Sequence, residues 1–190
     1  MWIILNRTVG SFLPQFTEGK KVLGVSGVTI GTGVDLGQQT RGSLRTMGVP
    51  PFLLEKLLPY IGLQRTAALQ QLCAIPLTIS PEEVVALDTA VKSAYINEAA
   101  RLFGQKVFEN APPQAQAVAV SLHYQFGTPF RKASPNLNNA WGAMQNGDYS
   151  AAAQFLRDSS GWSKEHQIFI GTMAKPGRRM QEAALLEGLV

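Results

Sequence analysis

Ser80-Pro81-Glu82-Glu83 opens the longest uninterrupted periodic segment of the chain. A serine able to cap, a proline suited to the first helical position and acids in the first turn together mark where a helix begins. Val84, Leu87, Val91, Tyr95, Ala99 and Leu102 then recur at spacings of three and four, which holds one apolar face for about five turns. A helix of that length crosses a whole small domain and joins a lobe on either side of it. Clefts between such lobes are where ligands usually bind.

The sequence before this helix differs from the sequence after it. Val9, Phe12, Leu13 and Phe16 are at helical spacing, so a short N-terminal helix is expected from about Ser11, with Glu18 at its end and Gly19 as its stop. Residues 20–33 set Val22, Leu23, Val25, Val28, Thr29 and Ile30 between glycines, which predicts a small hairpin or three-stranded ribbon. After Asp35 the pattern turns helical, with short helices over 50–59 and 63–74 punctuated by Pro59, Gly62 and Pro76. Beyond the long helix, Pro112-Pro113 opens a helix whose run QAQAVAVSLHYQF is apolar on nearly every side, as a central buried helix is. Helices follow over 136–146 and 148–157, split by Asn146-Gly147, and a last one spans roughly 163–188 with a break at Pro176-Gly177. The expected fold is α+β and mostly helical. A small N-terminal β-hairpin lobe (about 18–60) is joined by the long helix to a helical C-terminal lobe (about 81–190, with the N-terminal helix), the whole forming one domain.

Composition narrows the function classes. An apolar share of 45% against a charged share of 16% describes a chain that folds around a core. Cys73 is the sole cysteine, so no internal disulfide can form; its apolar surroundings (LQQLCAIPL) suggest a buried small hydrophobe rather than a nucleophile. Two histidines supply no metal-ligand cluster, and no metal or cofactor is expected. The start MWIILNRTVG is apolar over five residues without a basic leader, and no window approaches a membrane span. The net charge of +4 favours an anionic partner, but no basic run interleaved with aromatics singles out nucleic acid.

Glu18 and Asp35 are the only carboxylates before Glu55, and the glycine-rich segment between them carries Thr29. Two isolated carboxylates flanking a short hairpin suit glycoside hydrolysis, in which one carboxylic acid protonates the leaving oxygen and the other carboxylate acts across the sugar ring. Phe12, Phe16 and Leu23 could shield Glu18 and keep it protonated, whereas Lys20 and Lys21 would oppose this. Each residue also has a plainer reading: Glu18 as a solvated helix end, Asp35 as a helix cap, Thr29 as a strand residue, and Gly27, Gly31, Gly33 and Gly37 as turn and bulge positions. Tyr124, Gln125 and Phe126 close the apolar helix ahead of Gly127. The first two could contact sugar there, while Phe126 and His123 read more simply as core. Arg178 could meet an acidic wall strand or pair with Glu182 one turn later.

The run Ser26-Gly27-Val28-Thr29-Ile30-Gly31-Thr32-Gly33-Val34-Asp35-Leu36-Gly37-Gln38, following Glu18-Gly19, resembles the phage-lysozyme superfamily of muramidases, and within it the pesticin-like branch of toxins and endolysins. Ser121 to Gly127, and Gly177-Arg178-Arg179 with Glu182 to Leu185, resemble that family's central-helix end and C-terminal helix. The resemblance implies cleavage of the β-1,4 bond between N-acetylmuramic acid and N-acetylglucosamine in bacterial peptidoglycan. It implies Glu18 as general acid, Asp35 as the second carboxylate, Thr29 as a positioner of water, and inversion as the stereochemical course. The expected setting is a monomer made in the cytoplasm without a signal peptide and acting in the periplasm or on the wall, with a holin, a secretion apparatus or an immunity protein as partner. Here Lys20-Lys21-Val22-Leu23 stands where the family usually has an aromatic residue and a longer excursion, and only ten residues separate Glu18 from Thr29. A lysozyme-like domain that binds glycan or a partner without cutting, a lytic transglycosylase and a basic nucleic-acid-binding module are the competing classes.

Overall fold

The computed structural model describes residues 16–17, 21–22, 26–127, 134–159 and 177–190. The chain divides into two compact units, Met1–Ala94 and Tyr95–Val190. The architecture is mostly helical, with small β-hairpins near the N-terminus followed by a helical C-terminal part.

In the first unit, β1 (Phe16–Thr17) pairs antiparallel with β2 (Lys21–Val22), and β3 (Thr29–Ile30) with β4 (Val34–Asp35). The helix expected to run into Glu18 is therefore not the structure of Phe16 and Thr17. An aromatic and a β-branched residue suit a paired strand, and pairing with Lys21–Val22 prevails over a helical spacing that already contained Pro14. Glu18 itself, Lys20, Leu23 and the rest of the expected N-terminal helix lie outside the described residues. The expected ribbon over 20–33 also resolves differently. The second arm of the Thr29 hairpin is Val34–Asp35, because the turn is made at Gly31 (φ +58°) and Gly33 (φ +120°), conformations that L-residues rarely adopt.

A 3-10 turn, Leu36–Gln38, leads to α1 (Arg41–Thr46), which starts at a reciprocal capping box of Thr40 and Ser43. Helix α2 (Pro51–Leu57) begins at a proline, runs into a second 3-10 turn at Leu58–Tyr60, and is followed by α3 (Arg65–Ala74). Leu44, Leu53 and Leu57 are fully buried here, each contributing about 1.5–3 kcal/mol. Cys73, expected in the core, is exposed. Ala68 and Leu72 carry the buried stripe of α3, and the residue after Leu72 turns some 100° away from it.

The long helix is α4 (Pro81–Phe103). Its start is as the sequence foretold: Ser80 N–H donates to Glu83 Oε2 (2.6 Å) and Glu83 N–H to Ser80 Oγ (3.2 Å). Lys56 on α2 binds the same Glu83 at 2.7 Å and ties the two helices together.

In the second unit, α4 ends at Gly104 (φ +92°) and α5 (Gln105–Asn110) follows. Helix α6 (Pro113–Phe126) is the central one, with Ala115, Val118, Ala119 and Leu122 fully buried. Helices α7 (Pro135–Gln145) and α8 (Tyr149–Asp158) are joined by a tight connection in which Gly147 takes φ +75° and Asp148 caps α8. Helix α9 (Arg178–Glu187) packs against α8 and α6. Its start falls at the expected Pro176-Gly177 break, and the part of the expected helix before that break lies outside the described residues. Among the described residues, no helix is long and apolar enough to cross a membrane.

Candidate active site

Asp35 is the last residue of β4 and caps the 3-10 turn that follows. One carboxylate oxygen, Oδ1, accepts two backbone hydrogen bonds at 2.9 Å, from Gly27 N–H and Gly37 N–H. Among the described residues its other oxygen has no partner, and the side chain is half-buried. A carboxylate pinned through one oxygen keeps the second for a ligand or a water.

Glycine makes this arrangement sterically possible. Gly27 and Gly37 lie backbone against backbone, and a Cβ on Gly27 would fall 2.6 Å from Gly37 Cα and 2.2 Å from the Leu63 carbonyl oxygen. A Cβ on Gly37 would fall 2.6 Å from Gly27 N. Neither glycine has a positive φ, so both are required by close approach and not by a turn. The segment is further fixed by Leu36 N–H to Val28 O, Gly62 N–H to Leu36 O, and Gln64 Nε2 to Gly37 O, each 2.9 Å.

Thr29 is the cross-strand partner of Asp35, so the two side chains share one face of the hairpin, with Cβ atoms about 4.5–5.5 Å apart. Its hydroxyl has no hydrogen-bond partner among the described residues. Val28, Ile30 and Val34 are buried and hold the hairpin to the core of the first unit.

In the second unit Gln125 and Arg178 come together, and Tyr124 precedes Gln125 on α6. Tyr124 packs edge-on against Tyr95, with ring centroids 4.8 Å apart. Gln125 is exposed at the end of α6, and its Oε1 accepts from Arg179 Nη2 (2.7 Å) and Arg178 Nη1 (3.4 Å). The ion pair considered for Arg178 forms with its neighbour instead: Glu182 is buried and binds Arg179 at 2.8 Å, three residues apart. Ser121 Oγ donates to the same Glu182 oxygen at 2.6 Å. Burial pushes the Glu182 carboxyl up and the Arg179 guanidinium down to about 10, in each case against the pull of its partner. Arg179 also lies 5.3 Å from the Phe126 ring centroid. Glu182 Oε2 and Arg179 Nη1 are buried without a hydrogen bond among the described residues. This buried cluster escaped the sequence reading; the doublet Arg178-Arg179 before Glu182 was its signal, but the sequence leaves open which arginine turns inward. His123 is buried, and desolvation is the main cause of its lowered pKa. Among the described residues no three His, Cys, Asp or Glu side chains are grouped as a metal site.

Residues 6–150 match the family described as "Pesticin: Bacterial toxin homologue of phage lysozyme, C-term", and the chain belongs to this family. No curated protein matches the chain. Membership extends over the hairpin with Thr29 and Asp35 and over α6 with Tyr124 and Gln125, and it suggests a glycan-hydrolase-like activity.

Proposed function

We propose that the protein is a peptidoglycan muramidase that cleaves the β-1,4 bond between N-acetylmuramic acid and N-acetylglucosamine by inversion. The observation that carries this reading is the state of Asp35: one oxygen held by two backbone amides, the other without a partner among the described residues, with the Thr29 side chain on the same hairpin face. In the proposed mechanism Glu18, as the acid, protonates the departing glycosidic oxygen. Asp35 accepts a proton from a water that attacks the anomeric carbon from the opposite face, and the Thr29 hydroxyl orients that water. The pinned oxygen of Asp35 keeps the carboxylate in place, so no energy is spent on reorienting it as charge develops. Tyr124, Gln125 and Arg178 are proposed to contact the glycan, and the bacterial wall is the proposed place of action.

Digestion of purified peptidoglycan tests this. Wild type is expected to release fragments with reducing muramic acid ends, identified by mass spectrometry. Glu18→Gln and Asp35→Asn are each expected to lower turnover by about 10²–10⁴-fold while leaving the circular dichroism spectrum unchanged. Anhydro-muramyl ends, with Asp35→Asn fully active, would indicate a lytic transglycosylase instead. A wild type that sediments with the wall and releases nothing would indicate a binding domain.

A further inference from the structure

The hairpin that carries Thr29 and Asp35 has two residue pairs, Thr29↔Asp35 and Ile30↔Val34. A two-stranded ribbon this short is not stable alone. A register slip of one residue would also send its side chains to the opposite face. Its base is fixed by the bonds from Gly27 and Gly37 to Asp35. Its tip is held by a residue far away in sequence: Thr32 N–H donates to Asp88 Oδ1 at 3.1 Å. Asp88 lies on α4 and is 8% exposed. Its carboxylate occupies the space beside Gly31, where an added Cβ would sit 2.6 Å from Oδ1. Lys92, one turn along α4, binds Oδ2 at 3.3 Å and fixes the carboxylate from the solvent side.

We infer that Asp88 is a positioning residue for the reaction: it clamps the tip of the hairpin to α4 and thereby sets the register and placement of Thr29 and Asp35. The inference rests on the muramidase reading for its effect on rate, while the clamp itself is a matter of this hairpin and this helix. Buried carboxylates are costly unless they are hydrogen-bonded and paired. Asp88 is both, and one of its bonds goes to the turn that the site depends on. The turn is also closed by a backbone bond, Gly33 N–H to Ile30 O at 3.2 Å.

Two variants of the full chain separate this role from simple stability. Asp88→Ala removes the acceptor. Asp88→Asn keeps an oxygen for Thr32 N–H and loses only the ion pair to Lys92, which is exposed enough to turn to solvent. On soluble glycan fragments, Asp88→Ala is expected to lower kcat by about 10²-fold with KM little changed, since a displacement of about 1 Å costs that much. Asp88→Asn is expected to restore kcat to within a few-fold of wild type. In NMR spectra, the Gly27 and Gly37 amide resonances and the Asp35 carboxyl carbon resonance should move in Asp88→Ala and stay in place in Asp88→Asn. A kcat for Asp88→Ala within a few-fold of wild type would overturn the inference, as would equal damage from both variants. Should wild type cut no glycan, the muramidase reading falls and the spectra alone decide: unmoved Gly27, Gly37 and Asp35 signals in Asp88→Ala would overturn the clamp.

Discussion

At the scale of single residues, the candidate site depends on what is missing from two positions. Gly27 and Gly37 let two strands of backbone touch, and that contact is what brings two N–H donors onto one oxygen of Asp35. Gly37→Ala is therefore expected to cost about 1–3 kcal/mol, as overpacking does, and to cost activity as well, because relaxation would separate the donors. Gly42 serves as the control. It lies in α1, and the nearest atom to an added Cβ is 3.7 Å away. Gly42→Ala is expected to raise stability by about 0.5–1 kcal/mol through helix propensity. Thermal denaturation of the two variants checks both signs. The glycine-rich run was conspicuous in the sequence, and its connection to Asp35 was legible there. The distinction between a turn glycine such as Gly31 and a contact glycine such as Gly27 was not, because it depends on Leu63, far along the chain.

At the scale of elements, α9 carries a buried ion pair, Arg179 with Glu182, and each partner also reaches α6: Ser121 Oγ donates to Glu182, and Arg179 Nη2 donates to Gln125 Oε1. Removing one member of such a pair strands the other charge. Arg179→Met is expected to cost about 3–5 kcal/mol, whereas Arg179→Met with Glu182→Leu is expected to be neutral or to gain about 1–4 kcal/mol. The sign of the pH dependence follows from Glu182, whose carboxyl is pushed up mainly by burial. A raised folded-state pKa favours folding where the group is protonated, and that contribution is lost as pH rises through the folded value. The deficit of Arg179→Met should accordingly shrink as the solution is acidified from neutrality and Glu182 takes up a proton. Urea unfolding at a series of pH values measures this. A deficit that stays constant or grows on acidification would contradict the assignment of Glu182 as the stranded group. Helix starts were the most legible elements in the sequence. Ser80-Pro81, Pro112-Pro113 and Asn146-Gly147 all mark boundaries in the structure, because caps and prolines act locally. Strand pairing was the least legible, since β1 with β2 and β3 with β4 is a choice among partners that short, similar segments cannot announce.

At the scale of the whole molecule, the reading of a mostly helical chain with a small β part near its start came through because the change of periodicity is abrupt. The side of the candidate site formed by Thr29 and Asp35 was legible as a motif, and its supporting bonds were not. Asp88 is separated from Thr32 by 56 positions, and nothing near either residue in sequence points to the other. The exposed position of Cys73 was misread for a related reason: a local apolar run does not say which side of α3 faces inward. One consequence follows from α4. The division of the chain into two compact units falls between Ala94 and Tyr95, inside a helix that continues from Pro81 to Phe103. Proteases need an extended stretch of some length in their clefts, and exposed loop tips are where they normally cut. A boundary inside a hydrogen-bonded helix offers no such stretch. Limited proteolysis of the native protein is expected to leave the peptide bonds around Ala94 intact, and release of a stable fragment ending there would contradict this. The halves are two by packing and one by backbone, so trimming the chain to either of them would mean severing a helix in mid-course.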